Sequence, residues 1–229
     1  MHRVTILSSL AASALLAGCT APSVLVEVLP PRTSATCAAP TKTDSTLGRG
    51  LLDVLATQGT HGAYVADLRL SLKGLDARID SMKIEYALPD GANASVEAEA
   101  KAASDDDVVV GDTVLSGSDD DLRAAVVQNV QLVPRELALA LFEGRDAIGL
   151  DKVEYRTMVV TMTPVMSDGE TATGASTSFP IDLCSGCLVT PPDVCSDDGD
   201  FAQIPVTCRP GQDTPLFTCI NASTTGETP

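Results

Sequence analysis

The chain has 229 residues, 44% of them hydrophobic and only 3% aromatic with no tryptophan, and 31 acidic against 15 basic residues leave a formal charge of −16. That length suits one sizeable domain, or a domain with an appendage. The acidic balance excludes nucleic acid, whose phosphates demand a basic face, and argues against an anionic lipid surface as a direct partner.

The first feature in chain order is an apolar run from Val4 to Leu16 behind Arg3, ending in Leu16-Ala17-Gly18-Cys19. A spanning helix needs about 20 apolar residues, and this run is shorter, with Ser8 and Ser9 inside it. A basic start, an apolar middle and small residues at the end describe a removable export signal. The final four residues resemble the lipobox of bacterial lipoproteins. The resemblance implies cleavage before Cys19, acylation of its thiol and acylation of the new amino terminus. Thr20, where an Asp would signal inner-membrane retention, implies the outer membrane. One acyl chain anchors only marginally, at roughly 0.8 kcal/mol per buried methylene, so the three chains implied at Cys19 predict durable attachment to the membrane. Residues 1–18 are then absent from the mature protein, which becomes one charge unit more negative through loss of Arg3.

Residues 19–50 read as a tether, because Pro22, Pro30, Pro31 and Pro40 discourage regular structure. Val24 to Leu29 remains available as an edge strand. The body, residues 51–183, reads as strands. From Tyr64 to Lys73, apolar Tyr64, Ala66, Leu68, Leu70 and Leu72 alternate with Asp67, Arg69, Ser71 and Lys73, the period of a half-buried strand. Met82, Ile84, Tyr86 and Leu88 repeat the pattern from Ser81 to Leu88, and Pro89-Asp90-Gly91 supplies a turn. Val96, Ala98 and Ala100, alternating with Glu97, Glu99 and Lys101, predict a third strand. Others are expected at Asp107 to Thr113, Ala124 to Val133, Glu154 to Val165 and Ala172 to Ile181, the last two joined by Ser167-Asp168-Gly169. One helix is expected over Arg135 to Phe142, with Pro134 at its first position, Gly144 at its stop, and Leu137 and Leu141 facing the core. Together these predict a mainly β fold: an antiparallel β-sandwich of immunoglobulin-like type with one short helix and a disulfide-rich C-terminal tail. A barrel or another sandwich topology is the alternative, since the Cys, Trp and Cys signature of immunoglobulin domains is missing.

With Cys19 committed to lipid, six cysteines remain: Cys37, Cys184, Cys187, Cys195, Cys208 and Cys219. An even set in an exported chain predicts a disulfide framework with many formal pairings. Five of them crowd into residues 184–229, where Pro, Asp and Thr leave little to bury and cross-links would have to supply order. The expected arrangement has Cys37 bridged to the Cys184 and Cys187 pair and the tail closed on itself. Cys184-Ser185-Gly186-Cys187 lacks the following helix of a redox pair and the second close pair of a zinc ribbon, so it reads as structural.

Catalytic motifs are scarce. His61 is the sole histidine after the signal and lies in Gly59-Thr60-His61-Gly62, which reads as an exposed loop. No Gly-x-Ser-x-Gly elbow, phosphate loop, dinucleotide fingerprint or paired-histidine metal helix occurs. Acidic runs at Asp105 to Asp107, at Asp119 to Asp121, and at Asp197, Asp198 and Asp200 offer weak calcium candidates, though none has the alternating Asp pattern with its distal Glu. Asn93-Ala94-Ser95 and Asn221-Ala222-Ser223 match a glycan acceptor by chance. The expectation is a non-enzymatic lipoprotein of the cell envelope, without cofactor, binding a protein or carbohydrate partner or serving a structural role. A calcium-dependent adhesion or carbohydrate-binding sandwich and a hydrolase built on paired carboxylates are the alternatives.

Overall fold

A computed structural model of the chain describes residues 23–32, 37, 45–58, 63–73, 77–115, 123–167, 176–189, 199–203, 208–209, 212–214 and 217–221. The fold is mainly β. A three-stranded antiparallel sheet has the order β1 (Ser23–Val28), β3 (Tyr64–Lys73), β6 (Arg123–Val133). A five-stranded sheet has the order β2 (Gly50–Asp53), β8 (Thr177–Cys184), β7 (Arg156–Met166), β4 (Ala77–Ala87), β5 (Val108–Leu115). A separate hairpin joins β9 (Gly199–Gln203) to β10 (Phe217–Asn221). The helices are α1 (Ala94–Asp105) and α2 (Arg135–Glu143), with a 3-10 segment at Val54–Gln58.

Alternation works as expected where both neighbours are strands. Leu68, Leu70 and Leu72 of β3, Met82 and Ile84 of β4, and Met158, Val160 and Met162 of β7 are buried in one core shared by the two sheets. Aliphatic and sulfur side chains fill the volume that aromatic rings take in many cores; Tyr64 and Phe179 form the one aromatic contact among the described residues, at 6.1 Å between centroids.

Three expectations are corrected. Val96 to Lys101 is helix, not strand: Asn93 Oδ1 accepts from the backbone N–H groups of Ser95 and Val96, an N-cap that strands lack, and Val96 and Ala100, four apart, are the buried pair. The Asn93-Ala94-Ser95 triplet is thus a capping site. The mainly β fold therefore carries two α-helices rather than one among the described residues. The sheets are not wholly antiparallel either, because β2 runs parallel to β8; only four residues long, it gives no periodic signal. In the stretch read as tether, the edge strand anticipated at Val24 to Leu29 forms as β1, with Val24, Val26 and Val28 buried against β3. Finally, Cys37 bonds Cys208 across 171 residues, and Cys184 bonds Cys187, so the tail is stapled to the N-terminal segment. Cys195 and the side chain of Cys219 lie outside the described residues. The expected helix at Arg135 has Pro134 as its N-cap and Gly144 as its C-cap, one position from the expectation at its start.

Asp67 departs from the alternation most sharply. Its place among the polar residues of β3 predicts exposure, yet it has none. Ala66 pairs with Val130 and Leu68 with Val127, so Asp67 faces both Gln128 and Asn129 across a bulge, which redirects a side chain and bends the strand. Asn129 takes the left-handed conformation there, at φ 58°. Its backbone N–H donates to Asp67 Oδ1 at 2.8 Å. Arg32 donates to both carboxylate oxygens, at 3.0 and 3.1 Å, and Arg209 donates to Oδ1 at 2.8 Å. The two guanidinium groups also share Asn129 Oδ1, at 3.0 and 3.1 Å. One buried carboxylate thus gathers the N-terminal segment, the bulge of β6 and the residue after Cys208.

A second latch follows. Gln212 uses its side-chain amide as a strand would use a peptide group: Oε1 accepts from Val65 N at 2.8 Å and Nε2 donates to Val65 O at 2.7 Å. Asp213 accepts from Leu51 N and from the Tyr64 hydroxyl, both at 2.7 Å. Burial pushes the Tyr64 phenol and the Asp213 carboxyl up. Gly50 is required beside them, because any side chain there would strike the Tyr64 ring. The segment therefore ties the edge of β2 in one sheet to the start of β3 in the other.

Burial on its own would raise the Asp67 carboxyl, but hydrogen bonds from Arg32, Asn129 and Arg209 outweigh it and hold the group below its ordinary value. A pKa lowered by folding contributes stability that is fully present above about pH 4 and is lost as the pH falls through the folded-state value. Asp67→Ala should cost about 3 kcal/mol in urea unfolding at pH 7, since it strands two guanidinium groups. The advantage of the parent protein over Asp67→Asn should shrink as the pH is lowered below about 4. A difference between the two that does not change with pH would contradict this account.

Candidate functional site

The described residues form a cleft of about 460 Å³ between α1, α2 and the ends of β4, β5 and β6, within the size range of small-ligand sites. Its floor is Tyr86, Val108, Ala103 and Leu137, and its rim is Glu99, Asp106, Asp107 and Glu136. Local sequence explains how each group arrives. The turn at Pro89 to Ala92 closes with the Ala92 N–H donating to Pro89 O at 3.3 Å. Gly91 there has φ 89° and passes so close to Ala147 O that a Cβ would lie 2.5 Å from it, so only glycine fits. That turn feeds the Asn93 cap, which sets the direction of α1 and carries Glu99 toward the cleft. Asp106 caps the other end of α1 and Asp107 leads into β5.

The Tyr86 hydroxyl donates to Leu132 O at 3.0 Å, joining β4 to β6 beneath the cleft. Burial pushes its phenol well up, so it remains protonated and serves as a wall rather than a base. Ser81 Oγ lies 3.1 Å from Asp107 Oδ2 and donates to it. Lys83 pairs with Glu85 at 2.9 Å, and its ammonium is raised first by that hydrogen bond and further by Asp107 and Asp105.

The charge placement breaks a local rule. Asp105 ends α1 and Asp106 caps it, with no basic residue in the last turn. The C-terminal end of a helix carries partial negative charge, and an anion there costs roughly 0.3–1 kcal/mol. A cation in the cleft would relieve the mismatch. Glu136 sits in the first turn of α2, where the dipole favours it.

The sequence-predicted site residues are dispersed. Asp105, Asp106 and Asp107 are near the cleft; His61, Cys19, Asp197, Asp198 and Asp119 to Asp121 lie outside the described residues, as does the side chain of Asp200. Cys184 and Cys187 lie at the end of β8, and their sulfurs are within 4.8 Å of an Asp53 oxygen. Asp53, fully buried, is the residue that sequence reasoning missed. Its Oδ1 accepts from Gly186 N at 2.7 Å and Leu55 N at 3.0 Å, and its Oδ2 from Leu188 N at 2.8 Å and Val189 N at 3.1 Å. Four N–H donors around one carboxylate frame the Cys184 to Cys187 turn, in which Gly186 takes φ 87°. No local pattern signals such a partner 133 residues away; an acidic residue ending an apolar run is the only hint. Glu99 and Glu136 were also missed, Glu99 as a polar position of an expected strand and Glu136 as part of the expected helix.

Replacing Asp53 by Ala should cost about 2–4 kcal/mol in urea, because buried N–H groups at Gly186 and Leu188 lose their acceptor. Reduction of the Cys184 to Cys187 bond by a dithiol should also become faster, as the turn loses its frame. An Asp53→Ala protein with unchanged stability and unchanged reduction rate would refute the framing role.

Comparison of the chain with protein-family models and with curated proteins gave no match.

Proposed function

We propose that the chain is a non-enzymatic, membrane-anchored lipoprotein of the cell envelope. On this reading it is held in the outer membrane through acylated Cys19, and its cleft takes a basic, partly apolar segment of a partner protein. The two sheets around one core are read as a sandwich of immunoglobulin-like type, extended by the parallel strand β2 and by α1. The observation that carries the binding role is the pairing of an apolar floor, at Tyr86, Val108 and Leu137, with four carboxylates on the rim. Such a site rewards a cation whose stem or neighbour is apolar, as in lysine and arginine side chains. The anchor rests on Leu16-Ala17-Gly18-Cys19 and the apolar run before it.

A second reading is favoured by one specific observation: Glu99 and Glu136 reach one cleft from two different helices. A pair of facing carboxylates is the requirement of carboxylate-based glycoside hydrolysis.

Thermal unfolding of the mature protein in detergent separates the two. Lysine-rich peptides containing leucine should raise the melting temperature, and a ligand at 100 times its Kd stabilises by about 2.7 kcal/mol. The shift should vanish in Glu99→Lys and Glu136→Lys. Turnover of glycosides that is abolished by Glu99→Gln would instead support the hydrolase. Stabilisation by calcium in place of the peptides would favour the calcium-dependent sandwich. Intact-mass measurement tests the anchor: a mature Cys19 without acyl chains would defeat it.

A further inference from the structure

The proposed anchor and the first strand are very close in sequence. Three residues, Thr20, Ala21 and Pro22, separate Cys19 from Ser23, which already pairs with Lys73 in the three-stranded sheet. Four residue steps span at most about 14 Å when fully extended. A lipid-anchored ectodomain with such a leash cannot stand far from the bilayer, and the end of the sheet it presents is set by strand direction.

That direction follows from the pairing. β1 runs antiparallel to β3, and β3 antiparallel to β6, so β1 and β6 point the same way. The start of β1, the end of β3 at Lys73 and the start of β6 at Arg123 share one end of the sheet, because Leu72 pairs with both Val24 and Arg123. The cleft is at the opposite end. It is lined by Gln131, Pro134 and Leu137, which close β6 and open α2, and by Tyr86, whose hydroxyl reaches Leu132 O. Eight residue steps from Arg123 to Gln131 amount to about 26 Å at strand rise.

Resting on the anchor reading above, we propose that the ectodomain stands on the bilayer on the β1-start, β3-end and β6-start edge, and holds the cleft at its membrane-distal end. The occupant of the proximal edge is the lipid headgroup surface; the occupant of the cleft must therefore approach from the side away from the anchoring leaflet. The cleft of a lipoprotein so mounted is open to soluble or opposing-surface partners and closed to partners embedded in its own leaflet.

The absence of tryptophan makes the test direct, since one introduced Trp is a unique fluorescence donor. Leu25→Trp places it near the start of β1, where Leu25 is 50% exposed; Leu139→Trp and Val153→Trp place it on α2 and before β7, at residues 39% and 37% exposed. Each full-length lipidated protein is incorporated into phosphatidylcholine vesicles with a dansyl-labelled headgroup lipid, and energy transfer from Trp is recorded. Transfer from Leu25→Trp should exceed that from both distal donors several-fold. Equal transfer from all three, or stronger transfer from the distal pair, in protein whose mass shows acylated Cys19 would overturn the orientation alone. A bare Cys19 with no association with vesicles would overturn the anchor and the orientation together. Two distal donors guard against one substitution that disturbs folding, and unchanged melting temperatures qualify each variant.

Discussion

A charge held inside the protein organises this fold. Asp67 has no solvent exposure, and an unpaired carboxylate there would be prohibitively costly. The structure meets the cost with Arg32 from the N-terminal segment, Arg209 from the C-terminal segment and the Asn129 N–H from the bulge between. Separations of 35, 142 and 62 residues make this node nonlocal in the fullest sense. The Cys37 to Cys208 bond lies beside the second of these arginines and holds the same two segments together. A buried ion pair is a weak source of net stability but is strongly damaging to break. Its contribution is therefore to specify which segments meet.

The same device recurs. Asp53 collects four backbone N–H groups around the Cys184 to Cys187 turn, and Asp213 joins Leu51 N and the Tyr64 hydroxyl. All three aspartates join segments that are far apart in the chain. With 3% aromatic residues, the core has few large side chains with which to clamp the late segments by burial alone. Carboxylates that satisfy several donors at once contribute instead, and residues 208–214 are held by hydrogen bonds to Asp67, Val65, Leu51 and Tyr64 together with the Cys37 to Cys208 bond. Ser71 marks the limit of this economy: its buried hydroxyl has no hydrogen-bond partner among the described residues.

The cleft is a by-product of how α1 and α2 are inserted. Each helix follows a strand through a tight connection, Pro89 to Asn93 in one case and Pro134 in the other; the two pack against each other, with α1 also on β4 and α2 on the 3-10 segment. The groove between them keeps carboxylates at its rim because neither helix needs those positions for the core. Proposed anchoring at Cys19 and the direction of β1 would then place this acidic, apolar-floored groove at the far end of the ectodomain from the lipid. Address and site would be coupled through one edge strand.

Much of the strand content was legible locally. Tyr64–Lys73 and the run ending at Ala87 follow a period of two that only a pleated strand buries on one side, and Gly144 marks the end of α2 as its backbone freedom implies. Val96 to Lys101 reads as a strand because its apolar and charged residues alternate, yet Val96 and Ala100, four apart, also satisfy the helical period, and the deciding signal is the cap at Asn93 rather than the pattern. By itself the sequence determined the strand-rich body, the second helix, the acidic exterior and the cysteine-rich tail, since periodicity, charge and composition are properties of neighbouring residues. Only the tertiary structure decided the burial of Asp67 and Asp53, the parallel pairing of β2 with β8, the Cys37 to Cys208 bond and the gathering of Glu99, Asp106, Asp107 and Glu136 into one cleft. Each of those joins residues from distant parts of the chain, and their energetics depend on which donors, acceptors and backbones the completed fold brings within a few ångströms.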